Sequence, residues 1–171
     1  VAAEGGHQRP PVGLASSGNS QNIGAGPVFS TICDSQIALG TSVSATAKQY
    51  VALGLMTWAR RFTNQNIRYP VENNHAVGGT TWGSYDSQMP LAMADNPDFI
   101  VANWGTNDSS TGAFGLNQAK TNAIRFIEDC FSIGATPIFL PVPPRSDAGG
   151  TAAAWRFIES YNHWLQDLCA G

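Results

Sequence analysis

From Pro27 onward, short apolar runs alternate with stretches of helical spacing. Val28–Cys33 is an apolar run closed by a polar turn and predicts a first strand. Lys48–Phe62 sets Tyr50, Val51, Leu55, Trp58 and Phe62 three and four apart, which predicts an amphipathic helix. Ile67–Val71 predicts a second, weaker strand before the glycine-rich turn Val77–Gly79, and Tyr85–Ala94 a helix that Pro90 starts or interrupts. Phe99–Trp104, introduced by Asn96–Pro97–Asp98, reads as a buried strand. Leu116–Ile133 is the clearest helix, with Ala119, Ala123, Phe126, Ile127 and Cys130 inward and Gly134 ending it. Thr136–Val142 predicts a fourth strand stopped by Pro143–Pro144, and Ala152–Leu168 a last amphipathic helix.

Strand and helix in alternation predict an α/β fold: a three-layer α/β/α domain over 27–171 with a parallel sheet covered on both faces. Residues 1–26, rich in Gly, Ser, Asn and Pro and without hydrophobic period, read as a linker or arm. In such sheets ligands sit at the carboxyl ends of the strands, so the residues delivered there are the candidates for chemistry.

Composition narrows the function classes. Only 12% of the residues are charged, about half the usual share of roughly 25%, and the net charge is −3. No basic cluster exceeds Arg60–Arg61, which excludes a nucleic-acid surface built on counterion release. No apolar run approaches the ~18–20 residues of a membrane span. The N-terminus lacks a signal-peptide pattern, so the expectation is that such a segment was removed or that the chain is a piece of something longer. The hydroxyl- and amide-rich composition points to an extracellular or secreted setting. Cys33, Cys130 and Cys169 have no spacing suited to a zinc site or a disulfide framework, and no metal or cofactor is expected.

Three polar clusters fall at one predicted edge of the sheet. They are Cys33–Asp34–Ser35 after the first strand, Asn74–Thr81 after the second, and Gly105–Thr106–Asn107–Asp108 after the third. A hydroxyl nucleophile, a flexible backbone donor and a side-chain amide brought together there are the parts that acyl transfer requires. With these residues the chain resembles the SGNH (GDSL-like) serine hydrolase superfamily. Ile32–Cys33–Asp34–Ser35 is similar to its Gly-Asp-Ser block. Asn74–His75–Ala76–Val77–Gly78–Gly79–Thr80–Thr81 is similar to its second block, and Gly105–Thr106–Asn107–Asp108 matches its third.

The resemblance implies a flavodoxin-like SGNH fold and a catalytic set of Ser35, Gly79 and Asn107. Ser35 would be the nucleophile; its own N–H, the Gly79 N–H and the Asn107 amide would hold the oxyanion, each donor being worth about 3–4 kcal/mol. Asp34, which in this family braces the turn, is counted with Trp82 and Tyr85 among the substrate-binding residues. For the two aromatics the readings are a sugar-stacking platform or ordinary packing, whereas Trp104 reads as core. Arg145, Ser146 and Asp147 read as a solvated loop.

Two departures from the family pattern bear on activity. Cys33 stands where the family has Gly; it is read as a small buried hydrophobe, the other reading being a nucleophile. The Asp-x-x-His block that supplies the base is absent, and a serine without a base is a poor nucleophile. His7 lies in the arm and His163 on the last helix, while His75 is the one histidine near the Gly79 loop. The expectation is that a last strand and helix are missing and that a C-terminal segment or second chain completes the fold and supplies the base. The implied activity is a serine esterase (an acetylesterase acting on a small-molecule or polysaccharide O-acyl ester). The alternative is a catalytically inactive carbohydrate-binding or structural module of the same fold.

Overall fold

The computed structural model describes residues 26–35, 55–64, 66–110, 112–144 and 150–170. The arm before residue 26, the first half of the helix expected over Lys48–Phe62, and Arg145–Asp147 lie outside them. Within them, β1 (Phe29–Cys33), β2 (Phe99–Asn103) and β3 (Thr136–Phe139) form a parallel sheet in the order β1-β2-β3. The register sets Phe29 beside Phe99 and Cys33 beside Asn103, and then Phe99 beside Thr136.

The side-chain alternation of these strands sorts the core into two layers. Ile32, Ile100 and Ala102 point to one face, where they meet α2 (Tyr85–Ala94), α3 (Gly112–Ser132) and α4 (Ala152–Ala170). Phe29, Cys33, Val101 and Ile138 point to the other. There α1 (Leu55–Phe62) packs Met56 and Ala59 with Ile67, Tyr69 and Phe29. Helices therefore lie on both faces of the sheet, the expected three-layer arrangement.

The strand expected at Ile67–Val71 does not form as a continuous element. The chain there touches β1 only through isolated parallel bridges, Val28 with Arg68 and Thr31 with Asn74. Pro70 has no N–H to give to a ladder, and a 3-10 turn at Val71–Asn73 lifts the backbone between the two bridges. Pairing then resumes beyond the interval expected, with the His75 N–H donating to Thr31 O and the Val77 N–H to Cys33 O, both at 2.9 Å. The segment thus runs beside β1, opposite β2, and ends level with the end of β1.

Helix α2 runs through Pro90 without a break, the missing bond falling on the helix's solvent side. Helix α3 stops where Gly134 turns left-handed (φ 73°), its N–H reaching Phe131 O while the Ala135 N–H reaches Cys130 O.

Candidate active site

The ends of β1, of the segment beside it, and of β2 converge. Asp34 is fully buried and Ser35, at the start of the next helical turn, is half-buried. A side-chain methyl placed on Gly78 would lie 3.7 Å from Ser35 Cβ, so the Gly78 backbone lies against the serine. One placed on Gly79 would meet nothing within 4 Å; that residue supplies a left-handed turn, φ 80°. A Cβ on Gly78 would thus face Ser35, whereas one on Gly79, the glycine that the motif aligns with the donor, would face open space.

Asn107 enters from the β2 side. Its Nδ2 donates to Thr80 O at 2.8 Å and to Asp34 Oδ2 at 3.3 Å. The turn after β1, the glycine loop and the Asn107 loop are therefore tied together by one amide group, and both of its N–H bonds are engaged.

Thr80, the first threonine of the second block, is the hub of the site, its hydroxyl also lying 3.3 Å from Cys33 O. Its hydroxyl accepts from Trp104 Nε1 at 3.1 Å and from Gln88 Nε2 at 3.3 Å, and donates to Val77 O at 2.7 Å. Gln88 Oε1 in turn accepts the Cys33 N–H at 2.8 Å. A signal for Gln88 was present: it is a polar residue on the face of α2 that otherwise buries Tyr85, Met89 and Ala92.

Buried carboxylates shape the electrostatics. Asp108 accepts from the Trp82 N–H at 3.1 and 3.3 Å and is 1% exposed. Burial pushes its carboxyl up to about 6, the Trp82 N–H pulls it down, and the charge of Asp34 adds to the rise.

The three residues expected around a substrate are placed differently. Trp82 and Tyr85 are each 1% exposed, in the core between the sheet and α3, and Asp34 is 0% exposed. Trp82 lies 4.9 Å from Trp104 between ring centroids, its carbonyl accepts from Asn122 Nδ2, and Tyr85 gives its hydroxyl proton to Asp129 at 2.6 Å. With no ring face open to solvent, neither Trp82 nor Tyr85 can form a sugar platform, and the buried Asp34 accepts from Asn107 Nδ2. Cys33 is likewise fully buried, with its thiol on Asn103 O, in keeping with a core residue rather than a nucleophile.

His75 is drawn away from Ser35. Its Nε2 lies 2.7 Å from Asp95 Oδ2, just beyond the last residue of α2, and the same oxygen accepts from Ser30 Oγ at 2.6 Å. His163 is exposed on α4. Among the described residues neither histidine hydrogen-bonds to Ser35.

A parallel α/β sheet with a serine after β1, a glycine loop against it and an asparagine after β2 defines the frame of an α/β hydrolase. Residues 38–171 match the GDSL-like lipase/acylhydrolase family, and the chain belongs to it. The match begins just after Ser35, so it bears on the frame and not on the nucleophile. No curated protein matches the chain significantly in sequence.

Solved structures share the fold at low identity. An acetylxylan esterase from Geobacillus stearothermophilus superposes with a TM-score of 0.64 at 15% identity, over 88% of this chain and 74% of that one. A putative lipolytic protein of the G-D-S-L family from Desulfitobacterium hafniense gives 0.60 at 15%, over 84% and 72%. An alpha/beta hydrolase from the metagenome of Lake Arreo gives 0.60 at 16%, over 87% and 75%.

Proposed function

We propose that the chain is a serine esterase that hydrolyses O-acyl, and in particular O-acetyl, esters of carbohydrates through an acyl-enzyme on Ser35. The observation that carries this reading is the seating of Ser35 against Gly78, with the Asn107 amide bound to the residue before the serine and to the residue after the glycine pair. Those are the segments an attacking hydroxyl and its oxyanion donors come from.

In this reading Ser35 Oγ attacks the ester carbonyl carbon and its proton passes to a base. The carbonyl oxygen, now negative, is held by N–H groups of Ser35, of the Gly78–Gly79 backbone (Gly79 by its place in the motif, Gly78 by its contact with the serine) and of Asn107. The alcohol leaves with the proton, and water then releases the acid and restores the serine. Of the two Asn107 bonds, the 3.3 Å bond to Asp34 is the weaker and is the one that turns towards the oxyanion. The base comes from outside these residues, on a C-terminal segment or a second chain. The sugar preference rests on the acetylxylan esterase among the structural neighbours.

A second reading, an inactive carbohydrate-binding module, is favoured by the engagement of both Asn107 N–H bonds at rest. Two measurements separate the readings: acetate release from acetylated xylo-oligosaccharides, and labelling by a serine-reactive phosphonate with peptide mapping. Release that Ser35→Ala abolishes, with the label on Ser35, supports the esterase. Equal release by wild type and Ser35→Ala, with no label on Ser35, when the segment or partner that supplies the base is present, refutes it.

A further inference from the structure

We propose that Gln88 is a positioning residue for this site, holding the nucleophile turn at a fixed distance from the oxyanion loop. The inference rests on the esterase reading and deepens it. Gln88 is 2% exposed, on the buried face of α2. The orientation of its amide is dictated by chemistry, because the Cys33 N–H can only donate and must meet Oε1, 2.8 Å away. Nε2 is thereby turned to Thr80 Oγ1 at 3.3 Å.

The Thr80 hydroxyl is then fully determined. Gln88 Nε2 and Trp104 Nε1 occupy its two lone pairs, and its one proton is left for Val77 O at 2.7 Å, with Cys33 O at 3.3 Å the longer second acceptor. With the side chain fixed, the Thr80 carbonyl is presented to Asn107 Nδ2 at 2.8 Å, and the other Asn107 N–H returns to Asp34, the residue after Cys33. The hydrogen bonds form a closed circuit: Cys33, Gln88, Thr80, Asn107, Asp34 and back along the chain. Every segment proposed to bear a reacting group is a member or a sequence neighbour of it.

The circuit needs one acceptor and one donor on a rigid plane at residue 88. Glutamine supplies both, methionine neither, and glutamate only while protonated. A side chain that merely satisfied buried atoms would affect stability alone. One that spaces the nucleophile from its oxyanion donors affects the chemical step, where a displacement of about 1 Å can cost about 100-fold.

The test uses the purified full-length protein, together with the segment or partner chain that supplies the base, as wild type, Gln88→Met, Gln88→Glu and Ser35→Ala. Ser30→Ala serves as a stability control, because it deletes the buried hydroxyl on Asp95 in the first half of β1. Hydrolysis of p-nitrophenyl acetate is followed at pH 5.5 and 8.5, with melting temperatures and peptide-level hydrogen exchange recorded alongside. For Gln88→Met the expected result is a fall of about 10- to 100-fold in kcat with KM within about threefold. Ser30→Ala, at a similar loss of melting temperature, keeps kcat within about twofold of wild type.

Gln88→Glu gives a second readout. Its buried carboxyl titrates above the ordinary glutamate range, so at pH 5.5 the O–H still donates to Thr80 and at pH 8.5 it cannot. Its activity relative to wild type is expected to fall about tenfold between the two pH values. A kcat for Gln88→Met no lower than that of Ser30→Ala, or a flat Gln88→Glu ratio, overturns the inference. If Ser35→Ala hydrolyses the ester as fast as wild type, the esterase reading fails by itself. The tether is then decided by exchange: faster exchange around Cys33–Ser35 and Asn107 in Gln88→Met than in Ser30→Ala sustains it, and equal exchange rejects it.

Discussion

Gly105 opens the Asn107 loop, and its replacement by alanine tests whether that loop is held as tightly as the packing implies. The residue has φ 137°, where side chains are rarely accommodated, and an added Cβ would stand 2.4 Å from Val142 Cγ2. Backbone strain of about 1–3 kcal/mol and overpacking of about 1–3 kcal/mol together give an expected loss of about 2–6 kcal/mol. Gly134→Ala separates the two contributions. Gly134 is also left-handed, φ 73°, yet an added Cβ meets nothing within 4 Å, so only conformational strain of about 1–2 kcal/mol applies. Val142→Ala removes the opposing methyl groups, so Gly105→Ala is expected to cost about 1–3 kcal/mol less in that background. Urea denaturation followed by tryptophan fluorescence measures all four variants. A Gly105→Ala loss no larger than that of Gly134→Ala, or a cost unchanged by Val142→Ala, would refute the reasoning.

Asp108→Asn tests the buried carboxylate. Since the folded carboxyl sits at about 6, above its ordinary 3.8, the folded state binds that proton more tightly than the unfolded chain. Its contribution is fullest below pH 4, declines as the pH rises towards 6 and is level above. Wild type should therefore lose about 2–3 kcal/mol relative to Asp108→Asn between pH 4 and 7.5 in urea denaturation, and a difference that does not change with pH counts against it. Trp82→Ala should lower stability by about 3–5 kcal/mol, as deletion of a core aromatic does. Loss of xylo-oligosaccharide affinity with unchanged stability would instead restore Trp82 to the substrate surface.

What could be read in the sequence was whatever depends on local pattern. The β2 run is short and apolar because both of its faces are buried, and α3 and α4 announce themselves by periodicity. The Gly105–Asn107 cluster was legible because a loop after a strand has few reasons other than function to gather such residues. The Ile67–Val71 strand was not, since its apolar residues satisfy a strand pattern while Pro70 denies the ladder a donor. For Trp82 and Tyr85 the choice between sugar platform and packing was not legible, because nearness in sequence to a glycine loop says nothing about which way side chains are aimed. Here the turn aims Trp82 into the core against Phe126 and Trp104, and Tyr85, at the start of α2, packs beside Trp82. Gln88 and Thr80 matter through bonds spanning 55 and 24 residues, which no local pattern records.

His75 shows how a strand converts sequence nearness into spatial separation. It precedes the glycine pair by only a few residues, and a nearby histidine is the first place to look for a base. Its backbone, however, is bound to Thr31 O, whereas Val77 is bound to Cys33 O. At about 3.3 Å per residue, that places it ~6.6 Å short of the end of β1, with Ser35 further on again. Its ring then reaches Asp95, beyond the C-terminal end of α2, although the site lies towards the N-terminal end of that helix. Turning the ring to Ser35 would break the 2.7 Å bond to Asp95 without shortening the strand between them. In the proposed reading of Ser35 as nucleophile, the pairing of the strand that carries His75 therefore holds it away from the role of proton acceptor.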